Sequence, residues 1–152
     1  MATSASTDVT FQIIHPQNNP TDAELDAVAG FLYHHLGKYG DKKEDILKCL
    51  HYAMGRTGQG GFIVLAHNNG QISGAVIINN TGMDGYIPEH ILVYIAVHEN
   101  MRGSGLGKKL MQQAIDAAPG SIALHVEPDN PARRLYERLG FTNKYLEMRL
   151  AK

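Results

Sequence analysis

The sequence predicts an α/β protein with one central mixed β-sheet and helices on both faces. Three observations carry this. "HILVYIAVH" (90–98) is nearly all apolar, as in a strand covered on both sides. Helix-patterned "LGKKLMQQAIDAA" and strand-like "SIALHVE" follow it, a strand–helix–strand step expected to be parallel with a right-handed crossover. Upstream, "GFIVLAHNNGQISGAVIIN" sets two apolar runs around Asn69-Gly70, the pair a tight primed hairpin turn favours, so part of the sheet is antiparallel.

The remaining elements fall around these. "TFQIIH" (10–15) reads as a first strand. Thr21 and Glu24 have the spacing of a capping box, and Leu25, Val28, Leu32 and Leu36 form the apolar stripe of the helix they open. Asp41 and Glu44 start a second helix through Met54, with Ile46, Leu47 and Leu50 inward and Gly55 as its stop. The helix after "HILVYIAVH" spans about 105–118 and ends at Pro119-Gly120. Asn130-Pro131 then supplies an N-cap and first-turn proline for a helix to Leu139, closed by Gly140. "KYLEMRL" is expected to be a last strand.

With 152 residues and no internal repeat or linker, the chain is expected to form one domain over 10–152, preceded by a disordered tail at 1–9. A formal net charge of −1 offers no basic field for nucleic acid. No apolar run approaches a membrane span, and "MATSASTDV" lacks the apolar core of a signal peptide. A single cysteine, Cys49, forbids an intrachain disulfide, so the expectation is a cytoplasmic protein. Of the eight histidines, His34 and His35 are adjacent and cannot share a helix face, and no i, i+4 pair has a third ligand nearby. No metal is expected.

The stretch "NMRGSGLGKKL" places three alternating glycines between a strand and a helix. Such a loop aims free N–H groups and the positive end of a helix dipole at one spot, which suits a phosphate. It is not a P-loop: Gly103 and Gly107-Lys108 are separated by three residues rather than four, and Lys109 stands where a hydroxyl is required. It is not the dinucleotide fingerprint either, because the third glycine comes one residue early.

Arg102-Gly103-Ser104-Gly105-Leu106-Gly107 matches (Arg/Gln)-x-x-Gly-x-(Gly/Ala), and this resembles the diphosphate-binding loop of the GNAT acetyltransferase superfamily. "YIAVHENM" before it is similar to that family's fourth strand, and "NPARRLYERLGF" to its later tyrosine-bearing helix. The resemblance covers about 90–141 and implies a GNAT-like acyl-CoA N-acyltransferase fold. It implies that acetyl-CoA lies in a splayed gap between the strands at 90–98 and 121–127. Its pantetheine arm would pair with the backbone of Ile95, Ala96 and Val97, and the N–H near Val97 would serve the oxyanion. The diphosphate would rest on the amides of 103–108, from Gly103 and Ser104 through Gly105, Leu106 and Gly107 to Lys108, with Arg102 close by. Lys108 or Lys109 would add charge there or stand as solvated helix lysines.

The resemblance further makes Tyr136 the general acid for the departing thiolate; packed against the sheet with Ala132 and Leu139, it would equally be core. Asn130 is expected either to contact pantetheine or only to cap its helix. For the general base, His125 and Glu89 stand level and His90 behind them; His90 faces away from Glu89, Ile91 and Val93 unless a bulge reverses parity. Cys49 reads as a packed helix cysteine, since direct transfer needs no acyl-cysteine. Asp84, Tyr86 and Glu89 are expected to form one acceptor wall, and the segment around Tyr39 the opposite one.

The expected function is therefore direct acetyl transfer from acetyl-CoA to a primary amine of a small molecule, peptide or protein. The alternative is a non-catalytic acyl-CoA-binding or sensing module. Relatives follow Gly-Phe with two strands; here "TNKYLEMRLAK" has room for one. A homodimer is compatible with the resemblance.

Overall fold

The computed structural model describes residues 8–152. Of the expected tail, 1–7 lie outside the described residues, and Val9 packs on an apolar cluster. The elements are β1 (Thr10–Ile14), α1 (Asp22–Leu36), α2 (Lys43–Ala53), β2 (Gly61–Asn68), β3 (Gln71–Asn80), β4 (His90–Val97), α3 (Leu106–Ala117), β5 (Ile122–Leu124) and α4 (Ala132–Arg138).

The five strands lie in the order β1-β2-β3-β4-β5. The first four are antiparallel neighbours, and β5 joins β4 in parallel. Asn69 and Gly70 hold φ of 54° and 76°, the doubly positive turn the β2–β3 hairpin requires. Each face of the sheet carries its own core. On one, Leu25, Val28 and Leu32 of α1 and Ile46 and Leu50 of α2 cover Ile63, Leu65, Ala75, Ile77 and Tyr94. On the other, Leu106, Leu110, Met111 and Ala114 of α3 and Tyr136 of α4 cover Val64, Val76, Ile78 and Leu92. Gly74 makes the second packing possible: a Cβ there would lie 2.4 Å from Leu110 Cδ1. The capping box of α1 is formed in both directions, with Glu24 N–H donating to Thr21 Oγ1 at 3.1 Å and Thr21 N–H to Glu24 Oε1 at 2.9 Å. Such a cap is worth about 1 kcal/mol.

Two expectations fail at the β5 side. The strand expected over 121–127 is only Ile122–Leu124, because pairing with β4 stops at Leu92. The expected last strand, "KYLEMRL", does not form. Tyr145, Leu146, Met148 and Leu150 are 79, 83, 89 and 83% exposed, and among the described residues the sheet ends at β5 with no strand beside it. The second helix also starts later than expected, at Lys43, because Asp41 turns instead to Tyr94 on β4.

Candidate functional site

A β-bulge sets the geometry. Ile77 of β3 faces Tyr94 while Ile78 faces Leu92, so Val93 is an extra residue on β4. The bulge switches side-chain parity: Leu92 packs in the α3/α4 core, Tyr94 and Ala96 in the α1/α2 core, and Ile95 and Val97 return to the α3/α4 side. It also bends β4 where β5 leaves it. Beyond Leu92 and Leu124 the two strands no longer pair, and a gap opens between them.

Backbone groups line that gap. His98 N–H donates to the Ser73 carbonyl of β3 at 2.8 Å. Antiparallel pairing alternates, so Ala96 and Tyr94 also face β3, whereas Ile95 and Val97 direct their N–H and C=O groups at the side β5 has left. These are two of the three residues expected to pair with an extended ligand; Ala96 is turned to β3.

At the end of β4 the chain makes a single 3-10 turn (Glu99–Met101) and enters the glycine loop. Gly103 and Gly105 have φ of 79° and 87°, where a side chain would be strained. A Cβ on either would meet nothing within 4 Å, so both face open space. Gly105 occupies the N-cap of α3, and no side chain caps the helix. The first N–H of α3 with a backbone partner is Lys109, donating to Gly105 at 3.2 Å. Among the described residues, the amides of Gly103, Gly105, Leu106, Gly107 and Lys108 carry no hydrogen bond, while Ser104 N–H donates to Met101. A helix start left bare in this way is completed by water or by an anionic ligand.

A cleft of about 430 Å³ lies over these amides. The loop glycines and Lys108 form one side, and Leu135, Arg138 and Leu139 of α4 the other. Arg138 was not singled out from the sequence. Its position on an exposed helix turn gave no spacing signal, yet it brings a second cation to the cleft. Leu135 of α4 packs over Gly107, where a Cβ would stand in ordinary contact at 3.5 Å from Leu135 Cδ2.

The other expected site residues divide by location. Tyr136 is 6% exposed and packs edge-on to Phe141 with ring centroids 6.0 Å apart. Burial pushes its phenol up to about 12, so it remains a proton donor throughout the neutral range. Leu124 and Val126 pack on the α3/α4 side, which turns the intervening His125 to the opposite face, exposed, at the point where β5 leaves β4. Asn130 Oδ1 accepts from Ala132 N–H at 2.9 Å and so holds the start of α4. Arg102 does not turn into the loop: its Nη2 donates to the His35 carbonyl at 2.8 Å, at the end of α1.

Glu89 lies at the opposite end of β4, about 20 Å along the strand from Ile95. Its carboxylate accepts from Ser121 N–H at 2.6 Å and Gly85 N–H at 3.2 Å, and these two bonds hold it below the usual carboxylate range. With His90, Asn80, Asp84 and Gly120 it lines a separate open cleft. The two expected acceptor walls are therefore not brought together. The segment around Tyr39 instead meets the far bank of the gap, where Lys38 Nζ lies 3.4 Å from Asp129 Oδ2 and Tyr39 hydroxyl donates to the Asp129 carbonyl at 3.3 Å. Tyr94, missed by the sequence reading, donates to Asp41 Oδ2 at 2.5 Å on the same side. Burial pushes the Cys49 thiol up to about 12, which leaves it a poor nucleophile. Among the described residues, no group of three or more His, Cys, Asp or Glu could hold a metal ion, and no helix is long and apolar enough to cross a membrane.

The class is set by a mixed sheet whose fourth and fifth strands part beyond Leu92 and Leu124, with a bare glycine loop at the mouth of the split. The chain belongs to the acetyltransferase (GNAT) family, whose model matches residues 27–141. A 5-NmdU N-acetyltransferase of Pseudomonas phage PaMx11 is 36% identical over 84 residues, which is 54% of this chain and 58% of the phage protein. The match thus spans little more than half the length of that relative. Among solved structures, a transcriptional regulator from Bacillus halodurans C-125 superposes with a TM-score of 0.70 at 20% identity, covering 95% of this chain and 100% of that one. A ribosomal-protein-alanine N-acetyltransferase from Brucella melitensis biovar Abortus 2308 gives 0.66 at 18% identity, covering 95% and 99%. At these identities the likeness is one of fold.

Proposed function

We propose that the protein transfers the acetyl group of acetyl-CoA directly to a primary amine. The observation that carries this is the set of five unbonded amides at the start of α3, beside a gap whose wall offers the backbone of Ile95 and Val97. The residues fit the cosubstrate. The amides and the α3 dipole match a diphosphate, Lys108 and Arg138 add positive charge, and the strand backbone matches the amide groups of pantetheine.

The chemistry follows from the two faces of the gap. A neutral amine approaches from the α1/α2 face, on which Asp41 and the Lys38–Asp129 pair lie. His125, on that face, takes the proton the nitrogen sheds as it bonds to the thioester carbonyl carbon. The Val97 N–H receives the developing oxyanion. The carbon–sulfur bond then breaks, and Tyr136, on the α4 face, protonates the thiolate. One amide and one thiol result, with no net gain or loss of protons. We assign the base to His125 rather than Glu89, because the Glu89 carboxylate is committed to two backbone N–H groups about a strand length away.

A thiol-release assay with acetyl-CoA and a panel of amines, peptides and aminated nucleosides tests the proposal. Turnover with at least one acceptor is expected. Thermal stabilisation by acetyl-CoA with no turnover on any acceptor would favour the non-catalytic sensing module.

A further inference from the structure

We propose that His98 is a positioning residue for the glycine loop: its unprotonated Nδ1 fixes the turn that aims the loop amides, and protonation of the ring frees the loop and weakens the hold on coenzyme A. The ligand half of this rests on the loop being the diphosphate site. His98 stands between β4 and the loop. Its backbone N–H donates to the Ser73 carbonyl of β3 at 2.8 Å, so its main chain belongs to the sheet. Its ring reaches forward instead. Nδ1 accepts from Asn100 N–H at 3.1 Å and caps the single turn Glu99–Met101. The other bonds of this stretch build on that turn. Met101 N–H donates to the His98 carbonyl at 2.8 Å, Arg102 N–H to the Glu99 carbonyl at 3.4 Å and Ser104 N–H to the Met101 carbonyl at 3.3 Å. Among the described residues, the next bonded amide after Ser104 is Lys109. The direction of the bare amides is therefore set by α3 at one end and by the turn that His98 caps at the other.

The chemistry of the cap makes it sensitive to acid. Caps of this kind are usually supplied by Ser, Thr, Asp or Asn, which keep an acceptor oxygen across the neutral range. Imidazole is the side chain that changes charge between about pH 5 and 8. Asn100 N–H is a fixed donor, so Nδ1 is bare and the neutral ring carries its proton on Nε2. Protonation sets one N–H against another, and the cap is lost. A lone 3-10 turn does not persist without such support. The surroundings oppose the charge as well. The His35 ring of α1 lies against the His98 ring with centroids 4.4 Å apart, and the His34 ring meets His35 at 4.6 Å. Arg102 donates to the His35 carbonyl in the same cluster. The charged and titratable groups acting on His35 are His98, His34 and Arg102 against a single acid, Glu99. A cation on His98 thus pushes against the contact that anchors Arg102 on α1.

Calorimetry with 3′-dephospho-coenzyme A tests the ligand half. Its diphosphate keeps its charge between about pH 7.5 and about pH 5.5, whereas the 3′-phosphate of coenzyme A takes up a proton near pH ~6. The dissociation constant is expected to rise about tenfold over that interval, as the fraction of chains with a neutral ring falls. His98→Asn offers Oδ1 to the same Asn100 N–H and takes up no proton, so its rise is expected to stay within about twofold. Equal or tighter binding in acid overturns the proposal, as does a variant that keeps the wild-type rise. A second measurement needs no ligand. In amide and imidazole spectra of the free protein, Asn100 and the loop amides 103–108 are expected to shift together with the His98 ring as pH falls, and to lose that shift in His98→Asn. Loop amides that do not follow the ring overturn the positioning role. Loop amides that follow it, in a protein that binds no dephospho-coenzyme A at either pH, uphold the positioning role and overturn the diphosphate reading instead.

Discussion

Arg102 Nη2 donates to the His35 carbonyl at 2.8 Å, so the first residue of the glycine loop is anchored on the last turn of α1. Beside this contact the rings of His35 and His98 meet at a tilt of 41° with centroids 4.4 Å apart. The loop is thus held from the α1 side while its amides face α4. Arg102→Ala should loosen the loop without removing a group from the reaction. A rise of several-fold in KM for acetyl-CoA with little change in kcat is expected from steady-state kinetics. An equal fall in both kcat and kcat/KM would mean that Arg102 acts in the transition state.

Gly105→Ala separates strain from obstruction. The backbone at φ 87° makes any side chain unfavourable by about 1–2 kcal/mol, although the space around a Cβ is open. A melting temperature lower by about 3 °C is expected. The new methyl would project where the ligand is proposed to lie, so thermal stabilisation by acetyl-CoA should be largely lost. Full retention of that stabilisation would remove Gly105 from the binding loop.

Tyr136→Phe keeps the packing against Phe141 and removes only the hydroxyl. Turnover is expected to fall roughly a hundredfold, with acetyl-CoA affinity little altered. Because burial raises the phenol to about 12, no loss of kcat attributable to this group should appear below about pH 10. Unchanged turnover in the variant would leave the ring a purely structural role.

Two histidines give stability a pH dependence of fixed sign. Burial, and then the neighbouring His98 and His34, lower His35 below the ordinary value of 6.5; burial also lowers His90. For His90 the geometry explains why. Gly120 N–H donates to Nε2 at 3.3 Å, so Nε2 must stay bare and Nδ1 carries the proton shared with Asn80. The unfolded chain takes up these protons at about 6.5 and the folded chain only at lower pH. Their contribution is therefore full above that value and is lost as pH falls below it. Melting temperature should decline as pH falls below about 6.5, and His90→Gln should flatten part of that slope. A steeper slope in the variant would contradict the assignment.

Much of the fold was legible because each element carried its own local signal. The Thr21–Glu24 box, the Asn69-Gly70 turn and the loop glycines report backbone conformations that few other residues accept. The left-handed turns at Gly103 and Gly105 were legible for the same reason. The rest depends on where strands stop pairing. The Val93 bulge ends the β4–β5 ladder, and that decides that His125 stands at the gap while Glu89 does not; nothing in the alternation of "HILVYIAVH" marks Val93 as the extra residue. Asp41 meets Tyr94, and Arg138 lines one cleft with Lys108, across long sequence separations that no periodicity encodes. The terminal segment has the alternation of a strand, but alternation alone does not encode whether an edge pairs with it.

The central claim is that the amides opening α3 hold the diphosphate of coenzyme A and that the backbone of β4 holds its pantetheine arm. Titration of the ¹⁵N-labelled protein with coenzyme A, followed residue by residue in amide spectra, tests it most directly. The largest shifts are expected at Gly103, Gly105, Leu106, Gly107 and Lys108, with a second group at Ile95 and Val97. Shifts gathered instead around Glu89, His90 and Gly120, with the glycine loop unmoved, would contradict it.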